Sequence, residues 1–316
     1  TPVIDFRYHI VSLVAVFLAL ALGLFLGSTS LQSTVTHSLR QQADRVTADN
    51  QSLETQKDQL NSELSIQQSF ASSVEPFAVA NKLVDANVAV ISAPGVDSSA
   101  RSALMNTLTL AGATVTADIR LQSSYLDPNQ DTTFAQLALQ LAGNKPLPHA
   151  SGAIQAGTEL ARALVSSPGV KAPSARRVET ILGTLSDGNM ISIQGSTPVH
   201  PADLALLLVP LGSGDGSSVT AVQQNADIVG LAAALRHDSS GLVVASPTLS
   251  SGANNGVLPV IRDDTDLSTT VSTVDSDETA LGRVATVLAL AAAPSGTAGR
   301  YGASQSTPLP SPTAAS

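Results

Sequence analysis

Hydrophobic and polar positions divide the chain into stretches of different rhythm. From Ile10 to Gly27 the sequence IVSLVAVFLALALGLFLG runs for eighteen residues with no charge and a single hydroxyl, Ser12. At about 1.5 Å of rise per residue such a helix covers roughly 27 Å, close to the ~30 Å hydrocarbon core of a bilayer. The run predicts a transmembrane helix. The competing reading is a secretory signal peptide, whose apolar region is about 7 to 15 residues long and ends at small residues. Gly27, Ser28 and Ser30 could serve that role, whereas the length of the run and Asp5 in the short leading segment favour an uncleaved anchor.

The next stretch, Leu31 to Phe70, contains neither Gly nor Pro, and Leu39, Val46, Leu53 and Leu60 recur every seven residues. That spacing is a heptad seam. With these residues at d, the a positions are Ala43, Asn50, Lys57 and Leu64. Asn or Lys at an a position lowers stability but fixes register and favours two parallel strands. The pattern predicts a coiled-coil stalk over 28–70 and a parallel homodimer with the seam Leu39, Val46, Asn50, Leu53, Lys57, Leu60 and Leu64. The alternative is an amphipathic helix packed on its own domain.

From residue 71 onward, short β-rich runs alternate with Ala/Leu helices. Asn87–Ser92, Ala113–Leu121, Ile191–Gln194, Leu204–Val209, Gly241–Ser246 and Val271–Val274 read as strands. Helices are predicted over Ser99–Ala111, Thr133–Ala142, Ala153–Ser166, Ala175–Leu185, Val219–Arg236 and Glu278–Ala293. Continuous apolar strands in βα alternation predict a mostly parallel sheet with helices on both faces. The expected fold is therefore α/β: a transmembrane helix over 10–27, the stalk, and a mostly parallel α/β sandwich domain over 71–302. Residues 303–316, rich in Ser, Pro, Thr and Ala, read as a disordered tail.

Composition narrows the function classes. The 316 residues carry 16 Lys+Arg against 25 Asp+Glu, a net charge of −9, and no cysteine. There can be no disulfide, no thiolate metal site and no cysteine nucleophile. An acidic chain with 3% aromatic residues is a poor nucleic-acid binder and a poor outer-membrane barrel. Arg7 precedes the apolar run and the next positive charge is Arg40, so the positive-inside rule places residues 1–9 in the cytoplasm and the body outside.

Candidate chemistry is sparse. Leu211–Ser218, with Gly212, Gly214 and Gly216, could form an anion nest or a plain surface turn, and it matches neither GxxxxGK[ST] nor GxGxxG. Asp263, Asp264, Asp266, Asp275, Asp277 and Glu278 could offer oxygen ligands to a hard cation. Asp277 reads more simply as a helix N-cap with Glu278 in the first turn. His237, Asp238 and Ser239 list triad residue types without triad spacing, and no GxSxG elbow exists. No enzyme is indicated and no cofactor is evident. Soft-metal ligands beyond the membrane helix are His37, His149, His200, His237, Met105 and Met190, none in a close pair, so the metal-site residues stay unknown.

Two segments carry a family resemblance. Phe6–Gly23 (FRYHIVSLVAVFLALALG) with Leu26-Gly27-Ser28, and Val271–Thr279 (VSTVDSDET) continuing through Gly282–Leu290 to Gly299-Arg300-Tyr301-Gly302, resemble the actinobacterial MctB copper transporter family. The order of membrane helix, coiled coil, α/β body and closing segment is similar throughout. The resemblance implies copper efflux or copper homeostasis at the cell envelope of mycolic-acid-bearing actinobacteria, in a family assigned to the outer membrane and described as pore-forming. Copper enters by resemblance only. A related branch is associated with a cell-envelope and division partner. The alternative implied function is therefore a non-enzymatic dimeric scaffold that binds a membrane-protein partner in envelope assembly or cell division.

Overall fold

The computed structural model describes residues 6–143, 150–167, 169–195, 199–212, 218–249, 255–303 and 309–310, with side chains described for the same residues apart from 6 and 28–39. The seam residue Leu39, the candidate ligands His37 and His149, and nearly all of the tail thus have no described side chain. The chain divides into two compact units, Thr1–Gln67 and Gln68–Ser316.

The first unit is one helix, α1, which runs over Phe6–Val79 and so extends into the second unit. Within it Arg7–Gly27 is long and apolar enough to cross a membrane, and none of that segment is buried. Val46, Leu53, Leu60 and Leu64 are likewise exposed, each by half or more. Thr47 and Thr55 donate their hydroxyls to the carbonyls of Ala43 and Gln51, one turn back, as polar residues on a free helix surface do.

In the second unit the described strands form one seven-stranded sheet in the order β3-β2-β1-β4-β5-β6-β7. They are β1 (Asn87–Ser92), β2 (Thr114–Leu121), β3 (Ile191–Ile193), β4 (Leu204–Leu208), β5 (Gly241–Ser246), β6 (Val271–Asp275) and β7 (Arg300–Tyr301). Every pairing is parallel except β2 with β3. The sequence expectation of a mostly parallel sheet is met, with one antiparallel edge. Register places Ile91 beside both Ile119 and Leu207, so apolar side chains run across the sheet in rows.

Alternation along each strand sends side chains to two separate cores. Ala89, Ile91, Ala205, Leu207, Leu242 and Val244 join one core. The helices α3 (Asp131–Leu141), α4 (Gly152–Leu164), α5 (Ala175–Asp187), α6 (Val219–Asp238) and α7 (Val257–Asp263) supply the rest of it. Val88, Val90, Leu204, Leu206, Leu208 and Val243 face the other way. There they meet α2 (Ser98–Leu110), α9 (Ala280–Ala292), Val79 at the end of α1 and Leu83 in the turn after it. A short α8 (Leu267–Thr270) leads into β6.

The end of α1 is held by charge as well as by apolar contact. Glu75, 6% exposed, accepts from Arg283 Nε at 2.8 Å and Nη2 at 2.5 Å, and from the Thr107 hydroxyl at 2.5 Å. One carboxylate thereby ties α1 to α9 and α2. Removing one partner of a buried pair leaves an unpaired charge and costs about 3 kcal/mol or more, whereas replacing both by apolar residues costs far less. Glu75→Ala should therefore lower unfolding free energy by about 3 kcal/mol in urea titration, and Glu75→Met with Arg283→Met should recover much of the loss.

Candidate functional site

The chain leaves β1 toward β2 on one side and later returns to place β4 on its other side, so the carboxyl ends of β1 and β4 form a topological switch point, where ligands of open α/β sheets bind. A cavity of about 200 Å³ lies there, lined by residues that include Pro94, Leu126, Pro210, Gly212, Gln224 and Ile228. Glycine is required around it. Gly256 has φ +103°, and a Cβ on Gly212 would stand 2.7 Å from the Gly256 nitrogen. The first residue of the glycine-rich loop is thus explained by two backbones in contact. Residues 213–217, the rest of the expected anion nest, lie outside the described residues. Among the described residues the cavity lining contains no charged side chain, and the polar side chains there are Gln224 and Asn225.

At the end of β6 the acidic residues read from sequence take separate tasks. Asp275 is fully buried and pairs with Arg262 at 3.1 Å, and the same guanidinium donates to Thr273 Oγ1 at 2.9 Å and the Tyr301 carbonyl at 3.4 Å. Burial pulls the Arg262 pKa down, opposed by Asp275. Gly302, at φ +116°, passes so close that a Cβ would come within 2.3 Å of the Asp275 carbonyl. Gly282 likewise leaves no room, since its Cβ would meet the Ser276 carbonyl at 1.9 Å. The VSTVDSDE stretch and the later Gly282, Tyr301 and Gly302 are therefore one packed unit. Asp264 has a different use: its Oδ1 accepts from the Asp266 and Leu267 nitrogens at 2.9 and 2.8 Å and so starts α8.

Asp277 corrects the sequence reading. The N-cap of α9 is Thr279, whose Oγ1 accepts from the Gly282 nitrogen at 3.1 Å. Asp277 is fastened before the helix starts, because its own nitrogen donates to the Ser246 carbonyl at 3.0 Å across the strand ends, while Ser276 turns the chain at φ +71°. Its carboxyl is 3% exposed, and Oδ1 has no hydrogen-bond partner among the described residues. Glu278 does not pair with a cation there; it accepts from the Thr248 nitrogen and hydroxyl and pins the loop after β5.

Potential soft-metal ligands remain dispersed. Met190 is buried in the core under α3 to α7, and Met105 is half-buried against the core on the opposite face. The sheet separates them. His200 is exposed, and His237 places Nδ1 2.8 Å from Asp238 Oδ1 at the surface. Ser239 donates to the Gly241 carbonyl at 3.2 Å and takes no part in a triad. Among the described residues no group of three or more His, Cys, Asp or Glu could hold a metal ion.

Two further carboxylates, missed from sequence, meet between helices. Asp131 Oδ1 accepts from the Gly152 nitrogen at 2.6 Å, and Asp227 Oδ1 accepts from Ser151 Oγ at 2.7 Å and Gln223 Nε2 at 3.0 Å. Burial raises the Asp227 pKa, helped by the charge of Asp131 and opposed by these hydrogen bonds. Both carboxylates fix the start of α4. They lie far apart in sequence, so no spacing rule could have joined them.

The Asp277 carboxyl carries the main pH consequence. Burial, then the charge of Glu278, pushes its pKa up to about 7, against a hydrogen bond from the Glu278 backbone and the charge of Arg283, which pull it down, and with a small upward push from Asp97. The folded state therefore holds a proton that the unfolded chain releases nearer 3.8. Stability from this group is present in acid and is lost as pH rises from about 4 through 7. Asp277→Asn should raise stability at pH 8 by roughly 2–4 kcal/mol and flatten the dependence between pH 4 and 8, read by thermal unfolding of both proteins across that range.

Sequence comparison places these features in a family. Residues 3–312 match the family described as "Copper transport outer membrane protein, MctB". The chain is 29% identical over 297 residues to the copper transporter MctB of Mycobacterium tuberculosis and to that of Mycobacterium bovis, covering 91% of this chain and 92% of the relatives. It is 28% identical over 310 residues to the copper transporter MctB of Mycobacterium leprae, with the same coverage. These names describe transport, not catalysis. With one membrane-length helix ahead of a mostly parallel α/β body and a match along almost its whole length, the chain belongs to the MctB family.

Proposed function

We propose that this protein is a membrane-anchored component of copper efflux and copper homeostasis at the cell envelope, with copper as its cargo. The observation that carries the reading is the match of residues 3–312 to a copper-transport family in a chain with one membrane-length apolar helix. Arg7 and the lack of further positive charge before Arg40 support a cytoplasmic N-terminus and an extracytoplasmic body. The family description adds the outer membrane as the site of transport. A pore there would require several copies, because one apolar helix encloses nothing.

Assembly follows from the stalk. Val46, Leu53, Leu60 and Leu64 are 52%, 61%, 65% and 52% exposed in the single chain, at heptad spacing. A polar helix of this length is marginal without a partner, and tethering to one membrane gives identical chains a high effective concentration. The seam Leu39, Val46, Asn50, Leu53, Lys57, Leu60 and Leu64 supports a parallel homodimer, with stalk over 28–70 and body over 71–302. The second reading is a non-enzymatic dimeric scaffold that binds a membrane partner in envelope assembly or division. It is favoured by the same seam and by the dispersal of the methionines and exposed histidines.

Copper tolerance separates the two. A deletion strain should become copper-sensitive and be rescued by the full chain but not by a chain whose segment 10–27 is replaced by a cleavable signal peptide. Normal copper tolerance together with a division or envelope defect would favour the scaffold. For the dimer, Val46→Asp with Leu53→Asp should convert the detergent-solubilised protein from dimer to monomer in analytical ultracentrifugation, since each buried carboxylate costs several kcal/mol. An unchanged mass would remove the coiled coil from the proposal.

A further inference from the structure

A second cavity, of about 350 Å³, lies at the amino-terminal side of the sheet, where α4 ends, α5 begins and α6 ends. Its size is within the roughly 300–1,000 Å³ of small-molecule sites. Val165, Val170, Pro173 and Ile181 give it apolar walls, and Arg162, Lys171 and Arg177 stand around them. The body is acidic overall, so this convergence is local and specific.

The charges do not balance. Arg162 pairs with Glu159 Oε1, and Arg177 Nη2 lies 3.2 Å from Oε2 of the same residue. Glu159, 2% exposed, thus sits beneath two guanidiniums and neutralises one. Lys171 is exposed and pairs with no carboxylate among the described residues. Asp238 also lines the cavity and adds a second negative charge, with its Oδ1 2.8 Å from His237 Nδ1. Arg177 in addition stands in the first turn of α5 beside Arg176, where the helix dipole favours negative charge and opposes these cations. Three cations against the carboxylates of Glu159 and Asp238 leave an excess of positive charge at the mouth of an apolar cavity.

We propose that this cavity binds an organic phosphate monoester, with the dianionic phosphate at Arg162, Lys171 and Arg177 and an apolar group against Val165, Val170 and Ile181. Three cationic side chains outnumber the two oxygens of a carboxylate and match the three terminal oxygens of a phosphate monoester, which guanidinium groups suit geometrically. The Ser166 and Ser167 hydroxyls stand in the same lining as further hydrogen-bonding groups.

The test is calorimetric titration of the full chain, reconstituted in phosphatidylcholine nanodiscs, with phenyl phosphate. Saturable binding is expected, with inorganic phosphate and phenol each at least about tenfold weaker, because each lacks half of the recognition. Lys171→Glu and Val170→Asp, both at exposed positions, should each weaken phenyl phosphate about tenfold or more without changing the melting temperature. Competition by phosphatidic acid vesicles would assign the natural ligand to a lipid headgroup, and failure to compete would assign it to a soluble ester; either accords with the proposal. No saturable binding, equal affinity for inorganic phosphate, or binding indifferent to Lys171→Glu would overturn it.

Discussion

A parallel sheet has to be covered on both faces, and that requirement organises the body of this protein. β4 is buried at all five residues and β5 at all six, so neither face can meet water. One face has a full set of helices from α3 to α7. The other has only α2 and α9, and the remaining cover comes from the end of α1. The helix that carries the membrane-length segment therefore finishes as part of the hydrophobic core, with Val79 wholly buried. Glu75 adds a charged contact there, its carboxylate shared by Arg283 and Thr107.

The same economy explains the segments that mark the family. At the end of β6, Asp275, Arg262, Tyr301 and Gly302 occupy one volume, and Gly282 lets α9 approach the Ser276 carbonyl. Each of these residues answers a steric or charge demand of the others. A Cβ at position 282 or 302 would overlap backbone atoms, and loss of Arg262 would take a guanidinium away from a fully buried carboxylate. These residues need no catalytic explanation. Asp277 is the exception, since burial destabilises its ionised form and Oδ1 has no hydrogen-bond partner among the described residues, with only the Glu278 backbone and the charge of Arg283 in opposition.

Much of this architecture was legible in the sequence. Continuous apolar runs such as LALLLV and NVAVIS located β4 and β1 to within a residue, because strands buried on both faces carry no polar interruption. The Ala/Leu helices were equally plain. What escaped were elements whose signal is short or overridden: α7 and α8 lie among Pro and Asp residues that read as loop, and β7 is two residues long. α1 continues past Phe70 through Pro76 to Val79, although proline removes a backbone donor, since packing of Val79 and Glu75 on the body compensates within the last turn. The Asp277 error has the same origin. Both Asp277 and Thr279 are good cap residues, and only the left-handed turn at Ser276 and the bond to Ser246 decide between them. The glycine-rich loop beginning at Leu211 was singled out by its composition, whereas the basic cavity was not, because Arg162, Lys171 and Arg177 come together only through the packing of α4 and α5.

For copper as cargo, the distribution of soft ligands sets a physical limit on how the body can participate. Tight Cu(I) coordination calls for thiolate or thioether sulfur, and the chain has no cysteine and two methionines. Those two lie in cores on opposite faces of a sheet whose central strands are wholly buried, so they cannot reach one ion without unfolding the body. Imidazoles at His200 and His237 are accessible, and an exposed imidazole binds and releases copper readily. A protein that moves copper gains from such reversibility, since a site that holds the ion too firmly stops transport. The proposed role is consistent with this chemistry when the body supports or assembles the pathway through its anchor and stalk, and leaves tight ligation to another component.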